Sequence, residues 1–165
     1  MNQLNKAPSP NQFFYLGICL AVISLLITAV IADQQNDKAL ANYQKYLQGS
    51  SLVKEGKYNE ALNILANLDK DFADSYQVFY LKGVSYLQTR QFAKAAFHLE
   101  QARKQNPALL MDPTFLYICG EAYYQQHDFD RSRLYWKKCL QFKPGQNLKD
   151  KIQHSLRNLR KQGGA

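Results

Sequence analysis

Two stretches of the sequence decide the fold: GVSYLQTRQFAKAAFHLEQARKQNP at Gly83–Pro107 and GEAYYQQHDFDRSRLYWKKCLQFKP at Gly120–Pro144. Each stretch opens on a glycine and closes on a proline, and both residues recur 37 positions later in the second stretch. Self-similarity at a period of roughly 20–50 residues is the signature of stacked structural repeats. A unit of this length accommodates two antiparallel helices of about 13 residues each, joined by a tight turn.

A third copy precedes these two and begins at Gly49, 34 residues before Gly83. Six classes of position keep one register through the copies: Gly49, Gly83 and Gly120; Leu52, Tyr86 and Tyr123; Tyr58, Phe92 and Phe129; Ala61, Ala95 and Ser132; Leu65, Leu99 and Trp136; Leu68, Ala102 and Cys139. Glycine inside a helix costs about 1 kcal/mol relative to alanine. We therefore expect the three glycines where a partner helix approaches closely, opposite the small residues at positions 61, 95 and 132.

The helix ends also follow the register. Pro107 and Pro144 are expected to stop the second helix of their units, since proline cannot continue a helix. Of the three turns within the units, only Glu55–Lys57 carries a glycine suited to a left-handed helix end.

This pattern resembles the tetratricopeptide repeat family over residues 42–146, with units at 42–75, 76–109 and 113–146. The first unit departs from the family pattern at Lys45, where a large apolar residue is usual, and at Ala73, which replaces the terminal proline. Three extra residues before the third unit predict a lengthened loop at Ala108–Pro113. The resemblance implies an all-α fold in which three helix pairs stack as an α-solenoid.

The C-terminal residues 147–162 are predicted to form a capping helix. Leu148, Ile152, Leu156 and Leu159 fall on one helical face, and most of the nearby Lys and Arg residues lie elsewhere. Stacked repeats need a terminal element whose outer face is polar. Contact of this basic helix with anionic lipid headgroups or with an acidic partner is the functional alternative. Residues 163–165 are predicted as a tail.

An uncharged run, FFYLGICLAVISLLITAVI at Phe13–Ile31, precedes the repeats. Its 19 residues would make a helix of about 28 Å, which matches the hydrocarbon core of a bilayer. We predict a single transmembrane helix at 13–32, after a tail at 1–12 and before a linker or leading-helix start at 33–41. The alternative is a signal peptide cleaved after Ala32.

Charges flanking this run favour an orientation with the repeats outside the cytoplasm. Lys6 lies on one side, whereas Lys38 and Lys45 on the other are offset by Asp33 and Asp37. The expected location is the bacterial inner membrane with the repeats in the periplasm. A mitochondrial outer-membrane protein and a protein secreted after signal cleavage are the alternatives.

The family resemblance implies a binding groove on the concave face, lined by the first helix of each unit. Its positions here are Tyr46, Ser50 and Val53 in the first unit, Tyr80, Val84 and Leu87 in the second, and Tyr117, Glu121 and Tyr124 in the third. The Lys, Asn and Arg clamp that some members use for a terminal carboxylate is absent from these positions. We therefore expect a protein or peptide partner held by apolar and aromatic contacts.

These features predict a membrane-tethered adaptor or assembly factor, similar to small bacterial inner-membrane tetratricopeptide proteins. A permanent structural subunit of a large membrane complex is the alternative. Cys119 and Cys139 are expected to face the inside of one antiparallel helix pair. They could form a disulfide outside the cytoplasm, or remain small buried thiols.

Composition and motifs exclude several other classes. The content of apolar and aromatic residues is too high for a disordered chain. No C-x-x-C, H-E-x-x-H, P-loop or G-x-S-x-G occurs, so we expect no metal, no cofactor and no enzymatic activity. The net charge of +8 suits solubility or an anionic partner, but no nucleic-acid module is recognisable and no nucleic acid is expected.

Overall fold

The computed structural model describes residues 10–68 and 70–162, and these residues contain helices and turns but no strand. The predicted all-α class is confirmed. The helices are α1 (Pro10–Lys54), α2 (Tyr58–Ala66), α3 (Lys70–Ala73), α4 (Tyr76–Gln88), α5 (Phe92–Gln105), a 3-10 turn (Pro107–Met111), α6 (Pro113–Gln125), α7 (Phe129–Gln141) and α8 (Gln146–Gln162). The predicted tails at 1–9 and 163–165 lie outside the described residues.

The chain divides into two compact units, Met1–Tyr43 and Gln44–Ala165. In the N-terminal compact unit the apolar run is helical, and its described side chains are exposed, among them Leu25 at 69%. This part of α1 is long and apolar enough to cross a membrane, a test that a signal sequence near the N-terminus also passes. Residues 10–12, predicted as tail, and residues 33–41, predicted as a linker or a helix start, are helical as well.

In the C-terminal compact unit, residues 44–165, the helices pair as antiparallel neighbours. Helix α4 packs against α5 and α6 against α7, while α5 contacts α6 and α7 contacts α8. Side chains from α5, α6 and α7 form the main core, which Ile152 and Leu159 of α8 join as fully buried residues. Helix α8 thus covers the end of the stacked helices with the apolar face that the sequence predicts for a capping helix.

The three repeat glycines sit where two helices come together. A Cβ added at Gly49 would lie 2.8 Å from the side chain of Leu65, and one added at Gly83 would lie 2.7 Å from Leu99. At Gly120 the added carbon would collide with the indole of Trp136. The close approach was predicted, but the residue opposite was not. At each glycine the nearest atoms belong to a large buried side chain of the facing helix, four residues after the small residue that the sequence placed opposite.

The turns within the three units share one backbone conformation. Gly56 has a φ of 77°, and the residues at the matching positions, Arg90 and His127, have φ values of 60° and 62°. The left-handed conformation predicted for Gly56 therefore recurs in all three units. In two of them a residue with a side chain adopts it, which strains the backbone.

The first unit differs in its second helix, because α2 has nine residues instead of about 13 and is followed by the separate short helix α3. The Lys45 ammonium donates a hydrogen bond to the carbonyl of Asn67, just past the end of α2, at 2.9 Å. A helix end leaves carbonyl groups without partners within the helix, and a lysine there satisfies one of them. This contact explains why a cation replaces the usual apolar residue at position 45.

The extra residues before the third unit form structure of their own. Asn106 accepts a hydrogen bond from the backbone N–H of Ala108 and opens the 3-10 turn, while Asp112 accepts one from Thr114 and caps α6. Pro113 follows at the first position of α6, where its missing N–H costs nothing. The predicted lengthened loop is thus a capped turn that joins two helices.

Candidate functional site

Five of the nine predicted groove residues line one cleft of about 390 Å³ within residues 44–165. They are Tyr46, Ser50 and Val53 of α1 with Tyr80 and Val84 of α4. Because the register places these residues on the same face of two neighbouring first helices, their side chains meet along that face. The resulting surface offers aromatic rings, aliphatic groups and a hydroxyl, which suits contact with an apolar peptide segment.

The tyrosines in this cleft also support the core. The ring of Tyr80 lies 6.1 Å from that of Phe115, and the ring of Tyr46 lies 6.1 Å from that of Phe72, edge to face. Burial, followed by the negative charge of Asp112, raises the pKa of the Tyr80 hydroxyl. At physiological pH this phenol is therefore neutral and available as a hydrogen-bond donor.

The other predicted groove residues lie outside this cleft. Leu87 and Tyr124 are partly buried against the main core, and the Tyr124 ring packs against Trp136 at 5.5 Å. Burial and the neighbouring Glu121 raise the pKa of Tyr117 to about 12. Burial also raises the pKa of Glu121, although Tyr117 and the charge of Lys151 on α8 partly oppose the effect. In the third unit the two tyrosines thus pack against the main core, and Glu121 feels the charge of Lys151 on α8.

Sequence reasoning did not identify several residues of the cleft: Tyr76, Gln77, Leu81, Leu109 and Asp112. Leu109 and Asp112 come from the inserted segment before the third unit, between the second-unit helices and α6. The insertion was visible in the repeat spacing. An inserted segment that follows the second unit can reach the face of that unit, and this is the signal that could have indicated the two residues.

The predicted cysteine pair is buried, as expected from its position in the repeat, and both thiols are free. The Cys139 thiol donates to the carbonyl of Pro113 at 3.1 Å, at the start of α6, whereas Cys119 lies further along the same helix. Burial raises the pKa of both thiols. They are therefore weak nucleophiles, and the disulfide stays a prediction.

A metal ion bound by a protein needs several ligating side chains held close together. Within residues 10–68 and 70–162, no group of three or more His, Cys, Asp or Glu side chains is arranged to hold a metal ion.

Antiparallel helix pairs stacked in a row, with a cleft lined by their first helices, define the class of α-solenoid binding modules. Residues 52–109 match the family model described as tetratricopeptide repeat. This segment of the chain therefore carries tetratricopeptide repeat sequence. No curated protein matches the chain. Members of this family are in general non-enzymatic scaffolds that bind other proteins, which favours a role in protein–protein interaction.

Proposed function

We propose that this protein is a membrane-tethered adaptor or assembly factor whose concave cleft binds a peptide segment of a protein partner. The observation that carries the proposal is the cleft of about 390 Å³ formed by Tyr46, Val53, Tyr80 and Val84. Binding pockets are lined predominantly by apolar and aromatic side chains, with a few polar groups that fix the orientation of the ligand. The Ser50 hydroxyl and the charges of Lys54 and Asp112 at the cleft would orient the segment.

The membrane tether is supported by the exposed apolar part of α1. The large apolar side chains between Phe14 and Ile31 are open to solvent on every side of the helix. A soluble protein rarely exposes an apolar surface of this extent. Embedding this segment in a bilayer of an inner membrane, with the repeats in the periplasm, would remove that surface from water.

A charge placed in the cleft tests the proposed binding site. Val84→Glu puts a carboxylate among apolar side chains, whereas Gln141→Glu adds the same charge at an exposed position at the end of α7. Both full-length variants are purified from native membranes in neutral detergent, and the amount of partner protein that co-purifies with each variant is quantified. We expect Val84→Glu to lose at least about tenfold in recovery and Gln141→Glu to stay within about twofold. Equal recovery with both variants would overturn the assignment of the site, provided that their melting temperatures agree.

The same preparation separates the adaptor from the permanent subunit. A stable subunit is expected to co-elute with its complex in fixed stoichiometry on size exclusion. An adaptor is expected to bring down sub-stoichiometric partner that dissociates as the salt concentration rises. A fixed stoichiometry that survives high salt would replace the adaptor with the subunit.

A further inference from the structure

A second cleft lies on the opposite set of helices, outside the concave site. It has a volume of about 530 Å³ and is formed by α5, α7 and the C-terminal half of α6, with Leu110 of the 3-10 turn at its edge. Tyr123 and Tyr135 form its floor and stack at 5.6 Å between ring centroids. None of the predicted groove residues lines this cleft.

The floor of this cleft is held rigid by one carboxylate. Glu100 accepts hydrogen bonds from the hydroxyls of Tyr123 at 3.0 Å and Tyr135 at 2.5 Å, and from the guanidinium of Arg103 at 2.6 Å. Burial alone would raise the pKa of Glu100, but these three bonds outweigh it and lower the pKa. The carboxylate is therefore ionised and fully occupied by side chains of the cleft itself.

The rim of the cleft carries more positive charge than the floor can balance. Arg131 pairs with Asp128 and lies 4.2 Å from the centre of the Tyr123 ring. Lys104 and Lys138 also line the cleft, and in the part of the chain that the structure describes neither is paired with a carboxylate. The cleft is thus lined by two ammonium groups whose charge no carboxylate of the described residues neutralises.

Apolar side chains stand between these cations. Leu134 lies on α7, one helical turn before Lys138, and its side chain is 65% exposed despite the charged residues around it. Leu110 borders the cleft from the 3-10 turn and is partly buried against the core. The cleft therefore combines apolar contact area with positive charge at its edge.

We propose that this second cleft binds an acidic segment of a protein partner, with carboxylates on Lys104 and Lys138 and an apolar side chain against Leu134. Charge complementarity favours an acidic ligand, since the lining has four cations and one carboxylate that is already bonded. An extended peptide can enter the cleft and keep its charges on the rim. A bilayer surface is flat, and an anionic headgroup entering deeply would approach Glu100.

The test measures binding of a fluorescein-labelled peptide of Glu and Asp residues with one central Leu. The full chain is held in nanodiscs of neutral phosphatidylcholine at about 0.15 M salt, where exposed charges beyond ~8 Å are screened. The cleft variant carries Lys104→Glu and Lys138→Glu. The matched control carries Lys137→Glu and Lys149→Glu, two exposed positions outside the cleft with the same total change of charge.

We expect the cleft variant to weaken peptide binding at least about tenfold and the control to change it less than about threefold. Leu134→Ser is expected to weaken binding of the Leu peptide and to leave a peptide with Gly at that position unaffected. Equal losses in cleft variant and control would overturn the proposal, because binding would then follow net charge alone. If the cleft variant lost binding to phosphatidylglycerol vesicles but retained binding of the peptide, the proposal would be overturned in favour of a lipid site. Val84→Glu is expected to leave this binding unchanged, so the proposal stands or falls separately from the concave site.

Discussion

Ser132 occupies the position that Ala61 and Ala95 take in the first two units, and all three residues are fully buried. Its hydroxyl finds no hydrogen-bond partner among the described residues. A buried polar group without a partner loses its bonds to water on folding and costs about 1–3 kcal/mol. We expect Ser132→Ala to raise the free energy of unfolding by about 1 kcal/mol, measured by thermal denaturation in detergent.

The control for this prediction is Ser85, which is equally buried. Its hydroxyl donates to the carbonyl of Leu81 at 2.8 Å. Ser85→Ala therefore removes a satisfied bond and is not expected to stabilise the protein. If both variants gained the same stability, helix propensity would explain the gain and the unsatisfied hydroxyl would not.

Arg90 stands in a left-handed conformation where the first unit has glycine. A side chain in this conformation costs roughly 1 kcal/mol, and glycine carries no such cost. We expect Arg90→Gly to stabilise the protein by about 0.5–1 kcal/mol in a thermal unfolding measurement. Gly56→Ala should lower stability by a similar amount, because the space around Gly56 is open and only the backbone resists the change. An unchanged melting temperature for both variants would contradict the argument.

His98 makes stability depend on pH. Burial, followed by the charges of Lys82 and Lys94, lowers its pKa from 6.5 to about 4. The ring is stacked on Tyr86 at 5.1 Å and lies 5.8 Å from Phe79. Between pH 6.5 and 4 the unfolded chain binds a proton that the folded ring does not. Stability is therefore complete above pH 6.5 and declines as the pH falls towards 4.

We expect this decline to reach about 2 kcal/mol at the lower end, reduced from the full value by the partial exposure of the ring. His98→Phe keeps the aromatic contacts and removes the titration, so its stability should decline less over the same range. The measurement is the difference in melting temperature between pH 7 and pH 4.5 for the two proteins, in which the carboxylates that both share cancel. A parallel decline in both would contradict the role of His98.

At the scale of the helices, the pairing of α6 with α7 depends on the missing side chain at Gly120. The backbone at this position lies against the indole of Trp136, whose N–H donates to the carbonyl of Tyr117 at 3.3 Å. A methyl group there would force the two helices apart or turn a fully buried tryptophan. We expect Gly120→Ala to lower the free energy of unfolding by about 2–3 kcal/mol.

The control is Gly145→Ala, because an added carbon at Gly145 meets nothing within 4 Å. Its stability should stay within about 0.5 kcal/mol of that of the parent protein in the same thermal denaturation. A loss for Gly120→Ala that is no larger than this would mean that α7 yields at no cost, against the tight packing of Trp136.

The repeat register predicted the helix pairs and the capping helix because period and apolar spacing are local properties of the chain. It did not predict that α2 ends at Ala66, next to a carbonyl that accepts a hydrogen bond from Lys45, a residue 22 positions away from Asn67. It also placed small residues opposite the glycines. Which side chain faces a glycine depends on how far two helices slide along each other, and sequence spacing does not specify this offset.

The candidate site was predictable to a similar degree. Residues of α1 and α4 on one face were identified because a repeated register defines a face. The contribution of Leu109 and Asp112 was missed, since the path of an inserted segment has no periodic signal. The second cleft was missed as well, because Glu100 joins Tyr123 and Tyr135 across 23 and 35 residues, and no spacing in the sequence links them.

At the scale of the whole molecule, the proposed membrane tether depends on the segment Phe14–Ile31. An arginine at the centre of a membrane-spanning helix costs about 2.5–3.5 kcal/mol on insertion scales. Val22→Arg combined with Leu26→Arg puts two charges on one face near the middle of the run. Leu40→Arg with Leu47→Arg adds the same charge at exposed positions outside it.

We expect the parent chain and the Leu40/Leu47 variant to stay in the membrane pellet after alkaline extraction, and the Val22/Leu26 variant to move largely to the soluble fraction. The physical reason is the free-energy cost of placing two charges in hydrocarbon. The favourable insertion free energy of about 18 apolar residues exceeds this cost only narrowly. Intact mass of the extracted chain is the second measurement. A mature protein that begins after Ala32 would identify the segment as a cleaved signal, since a signal peptide is removed whereas an anchor must persist to hold the repeats at the bilayer.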